Sequence, residues 1–171
     1  MKTPILFTLF VITRICATAQ ANPAPTASCN TPQHRAFDFW IGTWSVTNPQ
    51  GKPAGKNEIR VMQDGCLLQE NWTSANGVYK GTSYNYYNAF TGQWNQTWVD
   101  NQGGTLLLTG GIENGNMILS GKSKNIQGQW QLDRITWTPH PQGTLQQVWE
   151  VSADEGKTWS KIFDGLYQRS Q

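Results

Sequence analysis

Two carboxylates stand two residues from tryptophan indoles: Glu70 beside Trp72, and Asp100 beside Trp98. A carboxyl turned inward among aromatic rings loses water, which raises its pKa toward the range useful for acid–base chemistry. The plainer reading of Glu70 is an ion pair with Arg134, or a carboxylate held by backbone N–H groups, because a buried charge needs such a partner. Nucleophilic catalysis finds no support. The chain has no Gly-x-Ser-x-Gly elbow, and its 2 histidines, His34 and His140, fall outside the strand-like runs. No His-x-His or His-Glu-x-x-His spacing offers a zinc site, so no metal is expected. The 9 tryptophans divide by neighbourhood. Trp40, Trp44, Trp137 and Trp159 read as packing, whereas Trp72, Trp98 and Trp149 share strand faces with Glu or Gln and suit stacking on a ligand equally well.

The elements that must position these groups come from one domain, since 171 residues suffice for a single barrel with its own core. Residues 1–21 read as a signal peptide. Lys2 gives the positive start, Ile5 to Ile12 the apolar run, and Ala17-Thr18-Ala19 or Ala19-Gln20-Ala21 the small-residue cleavage site. The run is too short to span a bilayer, so no membrane association is expected after cleavage. Residues 22–32 form a Pro- and Ala-rich arm, and residues 33–171 the barrel domain. There are 13 Lys and Arg against 11 Asp and Glu, and removal of Lys2 and Arg14 makes the two counts equal. Without a basic block, nucleic acid is not an expected partner. Cys29 and Cys66 remain after cleavage, and an even count in an exported chain predicts a disulfide. The expected location is therefore secreted or periplasmic.

From Thr43 onward, short β-branched and aromatic runs alternate with turn dipeptides such as Asp64-Gly65, Asn76-Gly77, Asn114-Gly115 and Glu155-Gly156. The runs are Asn57 to Gln63, Cys66 to Thr73, Tyr79 to Ala89, Gln93 to Asp100, Thr105 to Gly110, Asn116 to Lys122, Gln129 to Thr138, Thr144 to Ser152 and Thr158 to Gln168. Pro49 to Pro53 reads as a loop. With the opening strand this predicts an all-β fold, an antiparallel up-and-down barrel of about ten strands. Before it, Gln33 to Trp40 form a short helix or lid that turns at Gly42. A two-sheet sandwich is the alternative. Closure removes edge strands, and about ten strands enclose more volume than side chains readily fill. Along the strands, Leu68/Glu70/Trp72, Tyr84/Tyr86, Trp94/Gln96/Trp98, Leu132/Arg134/Thr136 and Gln147/Trp149/Val151 each share a face. Neither face is cleanly apolar, which fits a cavity lined by rings and a few polar groups.

Phe39-Trp40-Ile41-Gly42-Thr43-Trp44 resembles the Gly-x-Trp opening of the calycin barrels: lipocalins, fatty-acid-binding proteins and the nitrobindin-like group. The segments Phe37 to Trp44, Gly65 to Trp72, Trp94 to Asp100 and Trp149 to Trp159 resemble a family of small exported lipocalin-like proteins of unknown function, over most of residues 33–169. The resemblance implies a calycin-type barrel and no established reaction. Haem-binding relatives in the nitrobindin-like group ligate iron through a histidine near the last strands. Thr158 to Gln168 holds none, so no cofactor is expected. Ser152-Ala153-Asp154-Glu155-Gly156-Lys157-Thr158-Trp159 also resembles the Asp-box of sialidase propellers, where the motif shapes a hairpin; a single copy implies that structural role here.

The leading expectation is a monomeric binding protein holding a small apolar or aromatic ligand, lined by Glu70, Trp72, Tyr86, Gln96, Trp98, Arg134 and Trp149. The alternatives are an isomerase, cyclase or hydrolase working through Glu70 or Asp100, and a protein-interaction module with a filled barrel.

Overall fold

A computed structural model of the protein describes residues 29–170. The signal peptide expected over 1–21, and most of the arm over 22–32, lie outside the described residues. Ten strands follow one another: β1 (Gly42–Thr47), β2 (Pro53–Met62), β3 (Leu67–Ser74), β4 (Lys80–Asn88), β5 (Gln93–Asp100), β6 (Thr105–Glu113), β7 (Asn116–Lys124), β8 (Trp130–Pro139), β9 (Leu145–Ser152) and β10 (Ser160–Arg169). Each pairs with its sequence neighbours, and β1 pairs antiparallel with β10, so the sheet closes on itself. The sandwich alternative is thereby removed. The architecture is that of a calycin-like barrel, all-β and up-and-down, with one short helix near its N-terminal end.

Local chemistry explains most boundaries. Gly42 adopts φ +134°, and a Cβ there would overlap the Arg169 guanidinium, so the sharp entry into β1 requires glycine. Asn114 and Gly115 both have positive φ, at 50° and 82°, the mirror-image turn that suits the twist of a hairpin. β2 begins at Pro53, four residues before the predicted strand. Asn48 shortens the loop: its Oδ1 accepts the N–H groups of Gln50 (3.0 Å) and Lys52 (2.9 Å). Proline is tolerated at a strand's first position. At the other end β10 starts at Ser160, because Thr158 belongs to the preceding turn. The Thr158 N–H and hydroxyl both donate to the Asp154 carboxylate (2.8 and 2.6 Å), and Trp159 Nε1 donates to the Gly156 carbonyl (3.0 Å). The Thr158 hydroxyl foremost, then the Thr158 N–H and the Ser152 hydroxyl, hold the Asp154 carboxyl down to about 2. The Asp-box resemblance is therefore structural in this chain.

The lid is α1 (Pro32–Arg35) followed by a tight 3-10 turn, Asp38–Trp40. Thr31 caps α1, with Pro32 in its first turn. The Cys29–Cys66 disulfide staples the lid to the β2–β3 connection across a separation of 37 residues. In the chain-entropy account a loop of that length contributes about 4 kcal/mol. The Arg35 guanidinium donates to the Gly65 carbonyl beside it, and Trp94 Nε1 donates to the Gln33 carbonyl at 3.0 Å. Phe37 stacks on Trp40 at 4.7 Å and meets Trp94 and Trp137 edge-on, at 5.5 and 5.1 Å. This plug closes the end where β1 and the other odd-numbered strands begin. Behind it Met117, Leu119 and Leu145 are fully buried. The opposite end carries the cavity.

Candidate functional site

Period-two alternation decides which side chains meet inside the barrel. β3 turns Leu68, Glu70 and Trp72 inward, and β5 turns in Trp94, Gln96 and Trp98. From β9 come Gln147 and Trp149, and from β10 Phe163 and Tyr167. Five of the seven residues expected to line the site, namely Glu70, Trp72, Gln96, Trp98 and Trp149, border one cavity of about 340 Å³.

Tyr86 and Arg134 do not, and the register says why. Gln96 pairs with Asn85 and Trp98 with Ser83, so an inward Gln96 and Trp98 bring Ser83 and Asn85 inward and leave Tyr84 and Tyr86 outside. Tyr86 is accordingly exposed. On β8 the partners of Gln147 and Trp149 are Trp137 and Ile135, so Asp133, Ile135 and Trp137 form the inner face. Arg134 lies on the outside, bound to Glu150 of β9 through Nη2 (2.9 Å) and Nε (3.2 Å), with its guanidinium 4.0 Å above the Trp159 ring. The expected Glu70–Arg134 pair is thus replaced by Glu150–Arg134.

Glu70 is held instead by neutral side chains. Asn57 Nδ2 donates to Oε1 (2.7 Å) and Ser83 Oγ to Oε2 (2.6 Å). The network continues outward in both directions. Asn85 Nδ2 and Gln96 Nε2 donate to Ser83 Oγ, and Gln96 Nε2 also to Asn85 Oδ1 at 2.9 Å. On the other side, Asn57 Nδ2 reaches the Tyr167 hydroxyl at 3.4 Å, and that hydroxyl donates to Gln147 Oε1. Burial pushes the Glu70 carboxyl up to about 7, with the Ser83 and Asn57 bonds holding it back in part. Burial, and then the charge on Glu70, raise the Tyr167 hydroxyl well above its ordinary range. Glu70, Gln96, Gln147 and Tyr167 make a polar floor.

The walls are aromatic. Trp72 meets Phe163 edge-on at 5.7 Å, and Tyr79 lies 6.4 Å from Trp98. The Trp98 ring lies over Gly81, where a Cβ would overlap it, so that glycine makes the notch. The polar edges of these rings are tied to carboxylates. Tyr79 OH and Trp98 Nε1 donate to Asp100 Oδ2 at 2.9 and 3.4 Å, while Trp149 Nε1 donates to Asp133 Oδ1 at 3.0 Å. Burial, and the bond to Asp100, push the Tyr79 hydroxyl up to about 12. Burial pulls the Asp100 carboxyl upward. The N–H groups of Gln102 and Gly104, together with Tyr79 and Trp98, outweigh that and hold it below the usual carboxylate range. Asp100 therefore caps a turn and orients two rings; it is not a raised-pKa acid.

The sequence reading missed Asn57, Ser83, Asn85, Gln147 and Tyr167 as a connected set, and Asp133 and Phe163 as its neighbours on the inner face. One signal was available. The Ala89 to Gly92 turn puts Trp94 opposite Tyr87 and hence Gln96 opposite Asn85. Of the histidines, His34 is nearly buried in α1 against Thr31 Oγ1 (2.7 Å), and His140 sits in the β8–β9 turn. Among the described residues no group of three His, Cys, Asp or Glu side chains could hold a metal ion, and no helix is long and apolar enough to cross a membrane. No protein-family profile matches the chain, and a comparison with curated proteins finds no match.

Proposed function

We propose that this is a lipocalin-like binding protein that holds a small apolar or aromatic molecule inside its barrel. The observation that carries the reading is the cavity itself: about 340 Å³ walled by Trp72, Trp98, Trp149 and Phe163 over a hydrogen-bonded polar floor. Sites for small molecules are usually built this way, mostly apolar with a few fixed polar anchors. Export to a secreted or periplasmic location is part of the proposal, supported by the Cys29–Cys66 disulfide. The protein is proposed to act as a monomer with a small-molecule partner. Titration of intrinsic tryptophan fluorescence with a small-molecule panel tests the reading. A saturable change is expected in wild type and a weaker one in Trp98→Ala; no ligand-dependent change in either overturns it.

A carboxylate-dependent enzyme in the same cavity is the second reading, favoured by one observation. Glu70 borders the cavity with its carboxyl pushed up to about 7 by burial, a value suited to proton transfer near neutral pH. A carboxyl that titrates near its ordinary value by NMR removes this alternative.

A further inference from the structure

The cavity has a polarity that narrows what it can hold. No Lys, Arg or His side chain borders it, whereas the Glu70 carboxyl does. Among the described residues the ion pairs are Arg35–Asp38, Arg60–Glu58, Arg134–Glu150 and Lys161–Asp164, and none includes Glu70. Glu70 is 4 % exposed, and its two donors, Asn57 and Ser83, are neutral. A carboxylate taken out of water without a cation is held at a cost that a bound counter-charge would offset.

The walls point the same way. The Trp98 and Trp149 N–H groups and the Tyr79 hydroxyl are already committed to Asp100 and Asp133, so those rings have no donor left for a ligand and offer it π-surface. Ring faces attract cations through their quadrupole, most strongly for tryptophan and where water is excluded. On the floor, Gln96 spends its amide nitrogen on Asn85 and Ser83, which leaves its carbonyl oxygen as the acceptor beside Glu70. Carboxylate, amide oxygen and indoles together favour a positive ligand and oppose a negative one.

We propose that the cavity takes a small organic cation, an aryl-alkyl ammonium whose charged nitrogen is held by the Glu70 carboxylate and the Gln96 carbonyl among Trp72, Trp98 and Trp149. This rests on the ligand-binding reading above and adds the sign of the ligand's charge. The volume, about 340 Å³, is near the small end of ligand sites and fits one or two rings better than a long lipid chain.

Three probes of similar size and opposite charge test it by calorimetry and tryptophan fluorescence: phenethylammonium, phenethyl alcohol and phenylacetate. At about pH 8 Glu70 is mostly ionised, while Tyr79 and Tyr167, the titratable groups facing the cavity with it, stay neutral. The ammonium is expected to bind at least about tenfold tighter than the alcohol, and phenylacetate most weakly. In Glu70→Gln the advantage of the ammonium over the alcohol falls to within about twofold. An alcohol that binds wild type as tightly as the ammonium overturns the charge preference and leaves the ligand cavity standing, and the wild-type series decides this even if the variant fails to fold. An ammonium advantage that survives Glu70→Gln overturns the role of Glu70. Absence of binding by all three overturns both proposals.

Discussion

At the lid end Trp40 and Trp137 are fully buried, and their indole N–H groups have no acceptor among the described residues, whereas at the far end Trp98 and Trp149 are partly exposed and each gives its N–H to a carboxylate. An orphaned buried donor costs about 1–3 kcal/mol. Burying a whole indole against Phe37 outweighs that, since truncating a core tryptophan loses about 3–5 kcal/mol. Packing decides the first region. In the second the rings border empty volume, so their positions come from hydrogen bonds to Asp100 and Asp133 and from the notch at Gly81. The same residue type therefore seals one end of the barrel and borders the cavity at the other.

Truncation at the two ends should separate them most widely. Trp40→Ala is expected to lower the unfolding free energy by about 4 kcal/mol, and Trp98→Ala by less than half as much, because its ring is partly exposed and borders the cavity. Urea denaturation followed by circular dichroism measures both. Equal losses would break the distinction between a packed and an open end.

The next effect belongs to Glu70 and has a definite sign. Its carboxyl sits at about 7 when folded against an ordinary 4.5. Between those values the unfolded chain releases a proton that the folded one keeps, so stability falls as pH rises. Below 4.5 both states are protonated and no penalty exists; above 7 it is complete, at about 3 kcal/mol. Glu70→Gln cannot ionise and is expected to lack this slope, being more stable than wild type near pH 8. Parallel stability curves for the two proteins from pH 4 to pH 8, by about ten-point urea titrations, would show that the open end carries no uncompensated charge.

The smallest effect is expected outside the barrel. Arg134→Ala removes a half-exposed pair with Glu150 and a stacking contact with Trp159, together about 1 kcal/mol or less. Thermal melts should show a minor shift, and ligand titrations none. A lost ligand response would contradict the outward placement of Arg134.

Much of this was legible in the chain. Turn pairs such as Asn114-Gly115 need positive φ, and the runs between them carry β-forming residues, so strand number and hairpin order follow from local chemistry. The cystine was expected because reading residues 1–21 as a signal peptide leaves Cys29 and Cys66 as the pair. Of the cavity, Glu70, Trp72, Gln96, Trp98 and Trp149 were recognisable because polar and aromatic residues alternate on their strands. Tyr86 and Arg134 were misplaced because on β4 and β8 both faces mix rings with polar groups, so period two alone does not choose the inside.

The amino-acid order by itself determined the meander, the bend at Gly42 and the Asp154 hairpin, since each depends on residues close in sequence. Only the closed barrel decided which face of each strand looks inward, that Glu70 rests on Asn57 and Ser83 while Arg134 turns to Glu150, and that one end is packed and the other hollow. Those outcomes come from cross-strand register accumulated around ten strands, where each hairpin fixes the facing of the next and closure of β1 on β10 leaves a single consistent choice.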